Sequence, residues 1–340
     1  MTSRDTPLTV ALVGAGMISK HHLTAWAGLQ PYTRIVSVCD PELSSAERRA
    51  QEFGIGSVCQ TADELFAAHC LDAIDVASPR QTHETWIRAA ASRGVAVLVQ
   101  KPLTPTLRDA EALLRDIGGK ARVMVHENWR FHPIYRELKA WIEADVLGQI
   151  QMVRGSYLSS AFLSDGFSEP PGFARQPFLR HETRLFMAEA FIHHIDVVRF
   201  LCGSLRLISA RTTRSLSDVP GETLAALFLE TADGAPVDLV GNMAAPGHPS
   251  KGIDEFDLIG SKASARVRGA DLQLLGGNSR RVSLDVEQSY QSCFNNAIGH
   301  FVESLRSGER FETDMFDNIE TLRLVEHAYW AAGHHPRMHR

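Results

Sequence analysis

The stretch TVALVGAGMISKHHL, Thr9 to Leu23, decides the fold. An apolar run from Val10 to Val13 stops at Gly14-Ala15-Gly16 and passes straight into helical spacing, as a parallel strand does when it turns into its crossover helix. Gly14 permits the tight bend, and Gly16 lets backbone approach a pyrophosphate. The N–H groups and positive dipole end of the helix starting near Met17 and Ile18 face that anion. Ser19 stands where the third glycine of the usual G-x-G-x-x-G falls, a place that asks only for a small residue.

The next apolar run, Arg34 to Cys39, ends at Asp40, about twenty residues past the turn, where a carboxylate accepts hydrogen bonds from an adenosine ribose. That carboxylate repels a 2′-phosphate, so NAD is favoured; Arg48 and Arg49, a few residues on, keep NADP open. Asp40-Pro41 also reads as a helix cap, and the two roles are compatible. Strand-like runs Ile35–Cys39, Ala73–Ala77, Ala96–Val99 and Val123–Val125 alternate with helical segments Lys20–Gly28, Ser44–Phe53, Ala62–Ala67, Thr85–Ser92 and Leu107–Ile117. This alternation predicts a doubly wound parallel sheet with a dinucleotide across the carboxyl ends of its strands. Two loops fall at those ends. One is Ser78-Pro79-Arg-Gln-Thr-His83 and the other Gln100-Lys101-Pro102, with a lysine leaving a buried strand.

Beyond His126 the pattern changes. A helix over Ile134–Asp145 and a strand over Ile150–Ser156 precede a Pro/Gly/Phe-rich connection, Leu163–Arg180, long enough to be an active-site loop. A helix over Thr183–Leu201 follows, then successive strand-like runs from Leu205 to Leu284, and two closing helices, Tyr290–Ser307 and Met315–Ala332. The reading is therefore α/β in class. A dinucleotide-binding domain spans 1–125, and a substrate-binding and oligomerisation domain spans 126–340, with an open, mainly antiparallel sheet covered by helices on one face.

Composition narrows the function. In 340 residues, 44% are hydrophobic and 22% charged, and the net charge of -5 comes without a basic run interleaved with aromatics, which excludes a nucleic-acid binder. No apolar run nears a membrane span, and Met1–Pro7 lacks the core of a signal peptide, so a cytoplasmic location is expected. The five cysteines are scattered without a C-x-x-C pair, and no metal site is expected. In MAEAFIHHIDVVRFL, Met187 to Leu201, Glu189 and His193 are four apart on one helix face, with Asp196 near it. A carboxylate one turn from an imidazole fixes its tautomer and stabilises its cation, as a general base requires. An ordinary helical ion pair accounts for the same spacing.

Taken in order, the glycine turn, Asp40-Pro41, S-P-x-x-x-H at Ser78–His83, Q-K-P at Gln100–Pro102, E-A-F-I-H-H-I-D at Glu189–Asp196 and a strand-rich second half resemble the Gfo/Idh/MocA oxidoreductases, the glucose–fructose oxidoreductase and inositol dehydrogenase family. The resemblance implies an NAD(P)-dependent dehydrogenase of sugars, sugar acids or cyclitols that assembles as a homodimer or homotetramer. It places the family's catalytic lysine on Lys101 and its acid–histidine pair on Glu189 and His193, and it implies cofactor contacts at Gly14, Gly16, Met17, Ile18, Asp40, Ser78, Pro79, His83, Gln100 and Lys101. Gln100 replaces the family's glutamate, and Glu189 its aspartate. Asn128, Trp129, Arg130, Arg180, Arg184 and His194 are candidate substrate contacts, the arginines for a carboxylate or several hydroxyls. Two rival readings are a non-catalytic NAD-binding regulator and a glycosidase that uses NAD transiently.

Overall fold

Leu8–Val13 (β1) is buried almost throughout, because both faces of a central parallel strand are covered. The computed structural model describes residues 6–166, 168–276 and 279–334. From β1 the chain alternates through α1 (Ser19–Ala27), β2 (Thr33–Cys39), α2 (Leu43–Phe53), β3 (Val58–Cys59), α3 (Ala62–Ala68) and β4 (Ala73–Val76). It continues through α4 (His83–Ala91), β5 (Ala96–Gln100), α5 (Leu107–Ile117) and β6 (Val123–His126). All six strands are parallel, in the order β3-β2-β1-β4-β5-β6. The direction of winding reverses between β1 and β4, so the glycine turn opens at the switch point, where such sheets bind ligands. Alternate side chains of β1 supply two cores: Ala11 and Val13 join Leu65, Ile87 and Leu113 on one face, and Leu12 joins Leu23, Val38 and Ala46 on the other. The two-residue β3 escapes sequence reading because it is too short to show a period.

After a 3-10 turn at Asn128–Phe131 come α6 (Pro133–Glu143), β7 (Ile150–Leu158), α7 (Pro171–Arg175) and α8 (Ile192–Cys202). The strands β8 (Leu205–Thr213), β9 (Leu224–Thr231), β10 (Pro236–Asn242), β11 (Ile253–Gly260), β12 (Ser264–Arg268), β13 (Asp271–Leu275) and β14 (Arg281–Ser283) follow, then α9 (Val286–Ser307) and α10 (Met315–Ala331). The second sheet runs β14-β13-β12-β11-β7-β10-β9-β8 and is antiparallel except for the parallel pair β7–β10. Its strands alternate, with Leu227, Leu239, Phe256 and Val267 buried and Phe228 and Ile253 exposed on the other side. One reading gains detail and one needs correction. The connection at 163–180 holds α7 and a 3-10 turn at Pro177–His181, with Phe162 stacked on Phe173 at 4.6 Å. The helix expected from Thr183 becomes regular only at Ile192.

The chain divides into two compact units. One is Met1–Phe131 with Gln291–Leu322, and the other His132–Tyr290 with Arg323–Arg340. Most of α9 thus returns to the first unit, where Phe294 stacks on His21 at 5.0 Å and Phe301 meets Trp26 edge-on at 6.2 Å.

His132 begins the second unit as the cap of α6, its Nδ1 accepting from Ile134 N at 3.2 Å. Burial holds its pKa below the usual 6.5, against the opposing pull of Asp254. Capping also needs the neutral ring. The unfolded chain therefore takes up a proton at this residue before the folded one does, and stability falls as pH drops through and below 6.5. Melting curves between pH 7.5 and 5 should show a shallower acid loss for His132→Asn, which keeps a capping oxygen without the titration, than for the native chain.

Candidate active site

The glycine turn is built for a group that comes close. Gly14 has φ +92°, and a Cβ there would lie 2.8 Å from the backbone of Ala77 and Ser78, whereas a Cβ on Gly16 would meet nothing within 4 Å. Gly16 and Met17 are exposed and Ile18 is half-buried. No side chain caps α1 and its first turn holds no acid, so its N–H groups keep their pull for an anion. Asp40 closes the turn from β2, its Oδ2 accepting from Ala15 N at 2.7 Å and its Oδ1 from Glu42 N at 2.9 Å. Arg49 braces the outside, donating from Nε to Ser19 Oγ at 2.9 Å and from Nη2 to Gly16 O at 3.2 Å. That bracing explains Ser19 in place of glycine: its hydroxyl ties the turn to α2. The turn fits a dinucleotide pyrophosphate and Asp40 a ribose.

Ser78 and Pro79 follow β4, half-buried and exposed. His83 is 1% exposed, its ring nitrogens facing Pro102 O and Ser78 O, each at 2.9 Å. It joins the two loops to each other at the carboxyl ends of β4 and β5. Gln100 also turns inward. Its Nε2 donates to His22 Nε2 at 2.7 Å and to His126 Nδ1 at 3.3 Å. His22 Nδ1–H donates to Asp75 Oδ2 at 2.8 Å, where Trp26 Nε1 also donates at 2.7 Å. An amide offers two hydrogens to two imidazole acceptors, which is the physical sense of glutamine where the resembling family has glutamate. Lys101, next in sequence, is half-buried at the strand exit.

In the second unit, Met187–Phe191 forms a π-helical turn that runs into α8, closed by Ile192 N donating to Met187 O. Such turns recur at functional sites. From Leu185 to Val198 every residue is buried except Glu189, Ala190 and His193. The acid and the imidazole expected to work together are thus the polar groups this run presents. Asp196 departs from expectation; it is wholly buried, 3.8 Å from Arg199. His194 is buried too, its Nε2–H donating to Asp254 Oδ1 over 2.9 Å, with Tyr135 Oη donating to Asp254 Oδ2 at 2.8 Å. Tyr157, Phe191 and Phe256 surround its ring. Burial, then the charge of Asp254, pushes the Tyr157 phenol up to about 12. His194 thus ties α8 to β11 through Asp254.

The candidate arginines have protein partners. Arg130, 4% exposed, pairs with Asp317 at 2.8 Å. Arg180 pairs with Glu169 and Asp218, each at 3.1 Å, over the Phe173 ring. Arg184 pairs with Glu326 at 2.7 Å over Tyr329. Asn128 is buried and Trp129 half-buried. Apart from Glu169, 11 residues before Arg180, the acids that engage these arginines lie far from them in sequence, and no helical spacing announced the pairs. The described residues contain no group of three His, Cys, Asp or Glu side chains able to hold a metal.

A parallel sheet in this order, with a glycine turn at its switch point and an acid at the end of β2, defines a dinucleotide-binding oxidoreductase fold. The chain belongs to the Gfo/Idh/MocA family. Residues 8–127 match its oxidoreductase domain with NAD-binding Rossmann fold, and residues 135–266 match its C-terminal domain. The chain is 34% identical to inositol 2-dehydrogenase 4 of Saccharopolyspora erythraea over 323 residues, covering 91% of this chain and 88% of that one. It is 28% identical to D-apiose dehydrogenase of Rhizobium rhizogenes, with 96% of each covered. Its structure resembles an Agrobacterium radiobacter oxidoreductase solved with NAD+, L-tartaric acid and magnesium, at TM-score 0.88, 27% identity and 96% coverage of each chain.

Proposed function

We propose that this chain oxidises a hydroxyl of a sugar, sugar acid or cyclitol with NAD+, or reduces the matching carbonyl with NADH. The observation that carries the reading is the half-exposed Glu189 and His193 on an otherwise buried run, in a chain whose first unit has the NAD-binding turn. Bound NAD+ supplies the hydride acceptor. His193 takes the hydroxyl proton while Glu189 steadies the imidazole and its cation, a base contribution of about 10²- to 10⁴-fold. Lys101 donates a hydrogen bond to the oxygen that becomes carbonyl, stabilising its developing charge. In reduction the same groups supply protons.

Asp40 favours NAD+ over NADP+, and Arg49, held by the turn and by Glu52, is engaged away from a 2′-phosphate. The arginine pairs remove the main reason to prefer an acid substrate, so neutral sugars and cyclitols, the kind of compound the inositol and apiose dehydrogenases are named for, come first. The reading extends to a homodimer or homotetramer formed through the open face of the second sheet, where Phe228 is 44% and Ile253 49% exposed. No helix among the described residues is long and apolar enough to cross a membrane. All five cysteines are free thiols, the state a reducing compartment maintains, which supports a cytoplasmic location.

The test is a panel of aldoses, cyclitols and sugar acids with NAD+ and NADP+, read as absorbance of reduced nicotinamide. Net NADH from a neutral polyol, at least about tenfold better in kcat/KM than with NADP+, is expected; tenfold corresponds to 1.4 kcal/mol between the cofactors. Sugar cleavage without net NADH would give the reading to the glycosidase, and cofactor binding without turnover to the regulator.

A further inference from the structure

The π-helical turn that carries Glu189 is held at its start by one residue that no motif includes. Three successive backbone donors of the segment converge on Glu222. Leu185 N reaches its Oε2 at 3.2 Å, Phe186 N its backbone oxygen at 3.1 Å, and Met187 N its Oε1 at 2.9 Å. Tyr329 Oη, from the last helix, donates to the same Oε1 at 2.7 Å. Glu222 is 1% exposed and Tyr329 fully buried. A helix start leaves its first N–H groups without intrahelical partners, and a carboxylate there both satisfies them and complements the dipole. The approach is tight. A Cβ on the preceding Gly221 would lie 2.4 Å from Leu185 Cβ and 2.5 Å from Glu182 O, so the backbone at 221–222 sits directly against the segment it caps.

We propose that Glu222 is a positioning residue for the Glu189–His193 pair. By fixing the N–H groups of residues 185–187 it sets where the π turn begins, and with it the direction in which Glu189 and His193 leave the helix. The carboxylate has no part in proton or hydride transfer. Tyr329 holds it in place, and Arg184, spanning Glu326 and the Tyr329 ring, holds Tyr329. The inference rests on the reading of Glu189 and His193 as the reacting pair.

Glu222→Gln and Tyr329→Phe test it, with Glu222→Ala as the severe case. Glutamine keeps an oxygen for Met187 N and Tyr329 Oη but sets an N–H against that of Leu185; Tyr329→Phe removes one donor and leaves the cap. Backbone exchange over 185–193, followed by mass spectrometry on the full chain, should quicken at least about tenfold in Glu222→Gln and less in Tyr329→Phe. On the substrate found by the panel, kcat should fall about 10- to 100-fold in Glu222→Gln, with KM for NAD+ within twofold, since misplacement of about 1 Å costs that much. Unchanged exchange over 185–193, or a lower melting temperature with unchanged kcat, overturns the proposal. If no polyol is oxidised by the native chain, the catalytic reading fails alone. The exchange measurement then still decides whether Glu222 orders this segment.

Discussion

Lys101→Met will bind NAD+ within about threefold of the native affinity and turn substrate over about a thousandfold more slowly. Methionine matches the length and apolar stem of lysine at this half-buried strand exit, so the loop loses an ammonium and little else. The missing hydrogen bond is one made most strongly when charge builds on the reacting oxygen, and loss of such a donor costs roughly 2.7–4 kcal/mol, or 10²- to 10³-fold in kcat. A share in proton transfer raises the effect toward the upper end. NAD+ affinity survives because the proposed grip on the dinucleotide lies at the glycine turn and Asp40, on other strands. Lys101→Arg should not restore the rate, since a planar guanidinium places its donors differently from a compact ammonium. Single-turnover hydride transfer and NAD+-dependent fluorescence separate the two quantities. A kcat loss under about tenfold would remove Lys101 from the chemistry.

Patterns local in sequence were legible, and contacts between distant residues were not. The first sheet could be read because each of its longer strands is an apolar run bounded by helical spacing, and β1 with its Gly14–Gly16 turn announces the switch point. Glu189 and His193 could be singled out because their spacing is itself a helical period. The π turn was not, because a register widened by one residue leaves no mark in hydrophobic pattern; it shows only as Ile192 N bonding to Met187 O. The partners of the arginines were hidden for a related reason. A guanidinium near a candidate pocket looks the same on paper whether it awaits a ligand or, like Arg130 with Asp317, already holds an acid nearly two hundred residues away. His83 and Gln100 could be placed on their loops but their protein partners could not be read, because a loop residue's side chain can face the ligand or the scaffold. His83 faces Ser78 O and Pro102 O, and Gln100 faces His22 and His126.

Gly14→Ala and Gly16→Ala will part company, although both remove a glycine from the same motif. At Gly14 the added Cβ meets the carbonyl carbon and oxygen of Ala77 and the nitrogen of Ser78 at 2.8 Å, in a backbone with φ +92°. The left-handed backbone costs an L-residue roughly 1–2 kcal/mol. The clash adds about 1–3 kcal/mol, because the atoms met are backbone and cannot rotate aside. Relief would require β1 and β4 to part, against the bond from Ala77 N to Val13 O at 2.7 Å. The melting temperature of Gly14→Ala should fall by roughly 5–15 °C, and NAD+ binding should weaken at least about tenfold as the turn's amides shift. At Gly16 the Cβ meets nothing within 4 Å and φ lies outside the left-handed region, so the fold should melt within about 2 °C of native. Its methyl stands where a pyrophosphate must approach. Gly16→Ala should therefore weaken NAD+ at least about tenfold with stability intact, a loss that can arise only if the ligand itself comes to rest against that turn. Native NAD+ affinity in a stable Gly16→Ala protein would mean that the dinucleotide phosphates lie elsewhere.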